Sequence, residues 1–264
     1  MKPRFEGKVA IVTGSARGIG LAISTALARE GARVTLSDIL APELEQAAEG
    51  LRSTGAQVLT QATDVTSDEG CRRLVEATLD GSGGRLDILV NNAGISIVAP
   101  FEDCTPEACR RLLDVNLMGS IQMSLAALPA LKVARGHLIF VSSVSGIRAI
   151  PSGALYSASK AALRSLAESL RLELRPSGVH VGVISPGFTP TESSKTVLRG
   201  DGSLRPIDRP AHDTPENVAR ETLTLIAGRQ RERVLTPLGK ATLILQRISP
   251  TLVDHALSRM RLKS

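Results

Sequence analysis

The stretch KVAIVTGSARGIG, residues 8–20, decides the fold. Five residues in succession, Val9 to Thr13, are β-branched or apolar, which reads as a strand buried on both faces. The run stops at Gly14, and Gly14, Gly18 and Gly20 lead into an alanine-rich segment of helical periodicity. Glycines at such a junction permit a tight turn, let the backbone approach a pyrophosphate and let helix and strand pack closely. The helix N-terminus draws the phosphate charge. Residues 8–38 thus read as the opening of a βαβ nucleotide-binding unit.

Outward from this unit, six more apolar runs alternate with longer helical segments: RVTLSD (33–38), QVLTQAT (57–63), LDILVNN (86–92), HLIFVSS (137–143), VHVGVIS (179–185) and ERVLTP (232–237). The spacers are long enough for crossover helices. The expectation is an α/β chain with one doubly wound, Rossmann-like parallel sheet of about seven strands and helices on both faces. Thr105-Pro106-Glu107, Thr214-Pro215-Glu216 and Ser249-Pro250 each place a hydroxyl before a proline, the signature of a helix start. Long helices are expected around 106–132 and 154–175. Residues 193–213, rich in glycine, proline and charge, read as a long loop. We expect one domain over 1–238 and a basic amphipathic helical extension of it over 239–264.

Composition excludes several functions. The chain has 264 residues, 42% hydrophobic and 22% charged, with a net charge of +6. The basic residues are scattered among acids, and with four Phe, one Tyr and no Trp there is little for nucleic-acid bases to stack on, so no nucleic-acid partner is expected. Cys71, Cys104 and Cys109 lack zinc-site spacing, and His137, His180, His212 and His255 are isolated, so no metal is expected. No apolar run approaches the roughly 18 residues of a membrane span, and the start lacks a secretion signal's apolar core, which places the protein in the cytoplasm.

Asp38 ends the second strand, 18 residues after Gly20. A carboxylate there can accept hydrogen bonds from a ribose diol and repels a 2′-phosphate, which favours NAD over NADP. Arg17 adds a basic residue just before the second glycine of the turn. Ile39 and Leu40 add no further cation, and NAD is the expected cofactor.

Four motifs, in order, carry a family resemblance: TGSARGIG (13–20), NNAG (91–94), YSASK (156–160) and Pro186-Gly187. Together they resemble the short-chain dehydrogenase/reductase family over roughly residues 6–236. The resemblance implies that Gly14, Arg17, Gly18, Ile19 and Gly20 face the dinucleotide, with Asp64 and Val65 against the adenine. It also implies that Asn92, Ala93 and Gly94 support the cofactor, that Pro186 and Gly187 flank the nicotinamide, and that Thr191 bonds its carboxamide.

Tyr156 and Lys160 are four apart on an expected helix and share a face. An ammonium beside a phenol favours the phenolate, so the pair makes an acid/base, and the phenol is expected to titrate below its ordinary value near 10. Ser143, 13 residues before Tyr156, matches the family's serine that donates a hydrogen bond to the reacting oxygen, whereas Ser142 should face the other way. Asn116 matches the family's remaining catalytic position, where the amide helps hold a water that links the lysine to solvent. Tyr156 and Lys160 also touch the cofactor in the family.

The implied activity is hydride exchange between NAD and a secondary alcohol or ketone. Ile95, Ile97, Val98, Ile147, Ile150, Pro151 and Phe188 suggest an apolar small-molecule substrate. An NADP-dependent 3-oxoacyl-thioester reductase is the alternative, favoured by Arg148, Lys195, Arg199, Arg205 and Arg209. A dinucleotide-binding module without turnover is a third reading, and the four-residue site argues against it. The larger substrate domain of epimerases and dehydratases on this fold is missing. Family members pair their fourth and fifth helices, so a homodimer or homotetramer is expected. In the tail, Leu252, Val253, Ala256, Leu257 and Met260 form an apolar stripe among basic residues. That stripe packs on protein or makes a peripheral membrane contact.

Overall fold

The computed structural model describes residues 3–190, 196–206 and 213–258. Its strands are β1 (Val9–Thr13), β2 (Arg33–Asp38), β3 (Val58–Ala62), β4 (Ile88–Asn91), β5 (His137–Val141), β6 (His180–Ser185), β7 (Thr196–Leu198), β8 (Leu204–Pro206) and β9 (Glu232–Val234). Its helices are α1 (Gly18–Arg29), α2 (Ala41–Arg52), α3 (Asp68–Ser82), α4 (Pro106–Leu113), α5 (Gly119–Ala134), α6 (Ala154–Glu173), α7 (Pro215–Ala227), α8 (Pro237–Ile248) and α9 (Pro250–Ser258). Seven strands form one sheet in the order β3-β2-β1-β4-β5-β6-β9, every pair parallel. This is the expected doubly wound architecture.

Strand alternation divides the core in two. Ala10, Val12, Ile88, Val90, Ile139 and Val141 face α1, α2 and α7, where Ile23, Leu27, Leu44 and Val218 are buried. Val9, Ile11, Leu89, Leu138 and Phe140 face α3, α5 and α6, against Leu74, Met123, Leu131 and Leu163. Each fully buried side chain of this size contributes about 1.5–3 kcal/mol over its exposed state. With a helix layer on either face, the strands can be apolar at successive positions, which is why they read as continuous runs.

Between α4 and α5 the helix widens into a π-turn, Asp114–Met118, so that Pro106–Ala134 is one 29-residue rod. By length and mean hydropathy this rod could cross a bilayer, which the run-by-run sequence reading did not register. Its buried side instead serves the core, through Met123, Ala127 and Leu131.

Two segments differ from expectation. Part of the 193–213 loop is a β-hairpin, β7 paired antiparallel with β8, docked on the chain through Val98 N to Leu198 O (3.0 Å) and Leu198 N to Ser96 O (2.8 Å). A whole helix, α8, precedes the expected α9. Thr236 caps α8 by accepting the Gly239 amide at 3.0 Å. The α8 start lies on the loop after β5, since a Cβ at Gly239 would come within 2.7 Å of Val144 Cγ1. Asp254 of α9 forms an ion pair with Arg148, and Val253 is buried.

Candidate active site

β1 and β4 are neighbours whose chains depart to opposite sides of the sheet, which opens a crevice at their carboxyl ends. Thr13 and Asn92 lace the two rims together. Thr13 Oγ1 accepts the amides of Asn92 and Ala93 at 3.1 Å each, and Asn92 Nδ2 donates to the carbonyls of Thr13 and Gly14 at 2.9 Å. Gly14 has φ +65°, and a Cβ there would sit 2.8 Å from Ala93 Cα. A Cβ at Gly20 would meet the Gly14 carbonyl oxygen at 2.1 Å, so only glycine lets α1 start this close to the turn. Gly18 opens α1, exposed Arg17 is its N-cap, and Ile19 packs partly against the core.

The turn is also tied to β2. Ser15 Oγ accepts the Ser37 amide (2.8 Å), and Asp38 Oδ2 accepts the Ala16 amide (3.0 Å) while Oδ1 accepts that of Leu40 (3.2 Å). These bonds hold the Asp38 carboxylate at the rim of the crevice. Beside it Ile39 is 66% exposed, an apolar shelf that the sequence reading noted only for its lack of charge. Asp64 turns its Oδ1 to the Thr66 amide (2.9 Å) and hydroxyl (2.8 Å), closing the turn after β3. Val65 is buried against Gly119 and serves packing.

The reactive group assembles on three elements. Ser143 caps the 3₁₀ turn after β5. Its Oγ accepts the Ser145 amide (3.1 Å), which leaves its own O–H to donate to Tyr156. Ser142 donates to the Lys160 carbonyl (2.8 Å) and so pins α6 to the end of β5. Lys160 Nζ is buried, lies 5.9 Å from the Tyr156 ring centroid and donates to the Val141 carbonyl (2.9 Å). Asn116 sits in the π-turn. Its Oδ1 accepts the Ile95 amide (2.8 Å), and its Nδ2 donates to the Ile95 carbonyl (2.9 Å) and to Ser159 Oγ (3.1 Å). Ser159, inside the YSASK motif, was not singled out from sequence, although its place between Tyr156 and Lys160 was the available signal. Pro186 accepts the Val144 amide (3.0 Å), and the Gly187 carbonyl accepts the Thr189 hydroxyl (3.1 Å). Thr191 lies outside the described residues.

The crevice reaches this group. A Cβ at Gly94 would stand 3.2 Å from Asn116 Oδ1 and 3.4 Å from Lys160 Nζ, so the open face of Gly94 leads from the glycine turn to the lysine. A dinucleotide fits this cradle: backbone and helix N-terminus at the glycine turn, a carboxylate at the diol end, and an acid/base pair beyond Gly94. Among the described residues there is no cluster of metal-ligating side chains.

The electrostatics correct one expectation. Burial pulls the Lys160 ammonium down to about 8. Burial also pushes the Tyr156 phenol above its ordinary value, and the Ser143 hydrogen bond only partly offsets this. The sequence leads one to expect a phenol below 10 in the free chain. Desolvation of the phenol reverses that, and the lysine, its own ammonium weakened by burial, donates to the Val141 carbonyl.

Comparison with known proteins agrees with this geometry. The family model described as short chain dehydrogenase matches residues 8–201. An uncharacterized oxidoreductase of Methylorubrum extorquens is 38% identical over 194 residues, 73% of this chain and 77% of that protein. A short-chain dehydrogenase/reductase from Burkholderia phymatum, solved in complex with NAD, superposes with a TM-score of 0.83 at 27% identity, covering 95% of this chain and 96% of that one. An alcohol dehydrogenase from Thermococcus sibiricus, complexed with 5-hydroxy-NADP, gives 0.75 at 29% identity over 87% of this chain and 96% of that one.

Proposed function

The chain belongs to the short-chain dehydrogenase family of oxidoreductases, and from that premise we propose that it exchanges hydride between NAD and an apolar secondary alcohol or ketone. The observation that carries the proposal is the convergence of Ser143, Tyr156 and Lys160 beyond Gly94, at the end of a crevice whose other rim holds Asp38. When bound, the nicotinamide supplies the hydride donor or acceptor.

The chain's own residues manage the proton. Tyr156 keeps its proton in the resting chain and is set to give it to a ketone oxygen; in the reverse direction it takes the alcohol proton. Ser143 releases its hydroxyl from Tyr156 to the substrate oxygen and steadies the developing charge there. Lys160 eases loss of the tyrosine proton by placing a cation at the ring, and the Val141 carbonyl fixes where that cation stands. Asn116 spends its amide on Ile95 and Ser159, which fixes the π-turn beside the lysine. Asp38 would hold the ribose diol and oppose a 2′-phosphate, with exposed Ile39 beneath the adenine side.

Support for an apolar substrate comes from the small cluster of Ile97, Ala108, Leu112 and Leu198, against which Leu155 and Tyr156 pack. For the 239–264 extension, buried Val253 and the Asp254–Arg148 ion pair support packing on the chain's own body, and exposed Leu245 and Ile248 on α8 support a further surface contact. The test of the function is Tyr156→Phe. We expect turnover with secondary alcohols to fall by at least about 10²-fold, with NADH binding, read by fluorescence, unchanged. A folded variant that keeps most of its activity removes the assignment.

A further inference from the structure

We propose that Cys104 and Cys109 form a reversible disulfide under hydroperoxide, a redox-modification site at the base of the substrate-side cluster and separate from the proton machinery. Thr105 is the N-cap of α4, its hydroxyl accepting the Ala108 amide at 3.2 Å. Cys104 is therefore the residue before the cap and Cys109 the fourth helical residue. These two positions commonly meet as an apolar staple across a helix start. Here the staple is made of two thiols, and the Cys109 side chain is near enough to Cys104 to raise its thiol. Both are partly exposed, whereas Cys71 is fully buried, with its thiol pushed up to about 11 by burial.

The surroundings fix the pair in place. Cys104 Sγ also contacts the Pro100 carbonyl at 3.5 Å, and the Thr105 amide donates to the Gly200 carbonyl at 2.8 Å. A Cβ at Gly200 would stand 2.2 Å from the Asp103 carbonyl oxygen, so the β7–β8 turn is seated directly on this segment. Cys104 itself packs in the cluster that includes Leu155 and Tyr156.

The chemistry balances with a hydroperoxide as the oxidant. Burial, then the neighbouring Cys109 and Asp103, push the Cys104 thiol up, so the first attack falls to Cys109. The Cys109 thiolate takes one peroxide oxygen, giving a sulfenic acid and, for hydrogen peroxide, releasing water. Cys104 then attacks the Cys109 sulfur and expels the sulfenic oxygen as a second water. Two thiols and one hydrogen peroxide become one disulfide and two waters. Dithiothreitol reverses the bond.

The test uses the full chain and needs no substrate. Reduced protein is treated with hydrogen peroxide, then denatured and alkylated, and the modified cysteines are counted by mass spectrometry. We expect the alkylated cysteines to fall from three to one, Cys71, with a linkage within the peptide that spans Cys104 and Cys109 and full recovery after dithiothreitol. Cys104→Ser should leave a Cys109 sulfenic acid that dimedone captures, and Cys109→Ser should keep both remaining thiols. Three alkylated cysteines after peroxide, or a bond between two chains on a non-reducing gel, overturns the proposal. Either result is independent of whether the chain turns over an alcohol.

Discussion

Acidification from pH 7 to pH 5 should cost the fold about 2 kcal/mol through one histidine. His137 on β5 and His180 on β6 are register partners, and their Nδ1 atoms are 3.0 Å apart. His180 Nε2 lies 2.8 Å from the Gln230 carbonyl, which can only accept, so that nitrogen carries the hydrogen. The neutral His180 ring then has a bare Nδ1, and His137 Nδ1 must donate to it. A proton added to His180 Nδ1 would set two N–H groups against each other. Burial, with His180, Arg229 and Lys8 nearby, pulls His137 down to about 3, and burial also lowers His180. The unfolded ring titrates near 6.5. Between these values the unfolded chain binds the extra proton, so stability falls as pH drops through 6.5. At pH 5 the loss from His137 is about 1.5 pH units at 1.36 kcal/mol each, or about 2 kcal/mol, and His180 adds to it. Most carboxylates titrate lower, so this window isolates the pair. Urea unfolding of wild type and His137→Gln at both pH values is the assay. The wild type should lose at least about 1 kcal/mol more than the variant on acidification. Equal losses would refute the tautomer argument.

The remaining predictions concern the site and its assembly. Asp38→Ser should lower the NAD-to-NADP ratio of kcat/KM by at least about tenfold, because it removes the carboxylate at the diol end and leaves exposed Arg17 to meet a 2′-phosphate; an NADP-preferring wild type would show that Arg17 outweighs Asp38. Alcohol oxidation should speed up and ketone reduction slow only as pH rises past about 10, since Tyr156 holds its proton above the ordinary phenol value; a rate change centred well below that would mean another group carries the proton. Exposed Leu125 and Val133 on α5 and Leu172 on α6 should be covered by a second subunit. Light scattering should therefore show a dimer or tetramer at micromolar concentration, and a single species of 27.8 kDa would exclude it.

The sheet was legible because its strands are buried on both faces, and Val9–Thr13 or His137–Val141 announce themselves as unbroken apolar runs. The β7–β8 hairpin was hidden for the converse reason. Its strands are three residues long and bury little beyond Val197 and Leu198, so they leave no period to read. Helix α8 was missed although Thr236-Pro237 repeats the hydroxyl-proline signature of Thr105-Pro106 and Thr214-Pro215, because the pair closed a run already taken as a strand. Of the candidate site, Tyr156 and Lys160 were legible through their spacing on one helix face, and Ser143 and Asn116 through the family resemblance. The direction of the Tyr156 shift was not, since spacing places the lysine beside the phenol but burial, a property of the whole fold, decides which charge survives there.

The π-turn around Asn116 works as a phase shifter in a rod that would otherwise carry one angular frame from end to end. Before it, Ala108 and Leu112 point to the small cluster with Ile97 and Leu198; after it, Met123, Ala127 and Leu131 point to the sheet. Each residue advances a helix by about 100°. Removing a single residue between Asp114 and Met118 would therefore rotate one half against the other and turn one of its two stripes toward solvent. The amide of Asn116, bonded to Ile95 and Ser159, thus sits at the coupling between two bodies that can be re-cut separately, provided their relative timing around the axis is kept.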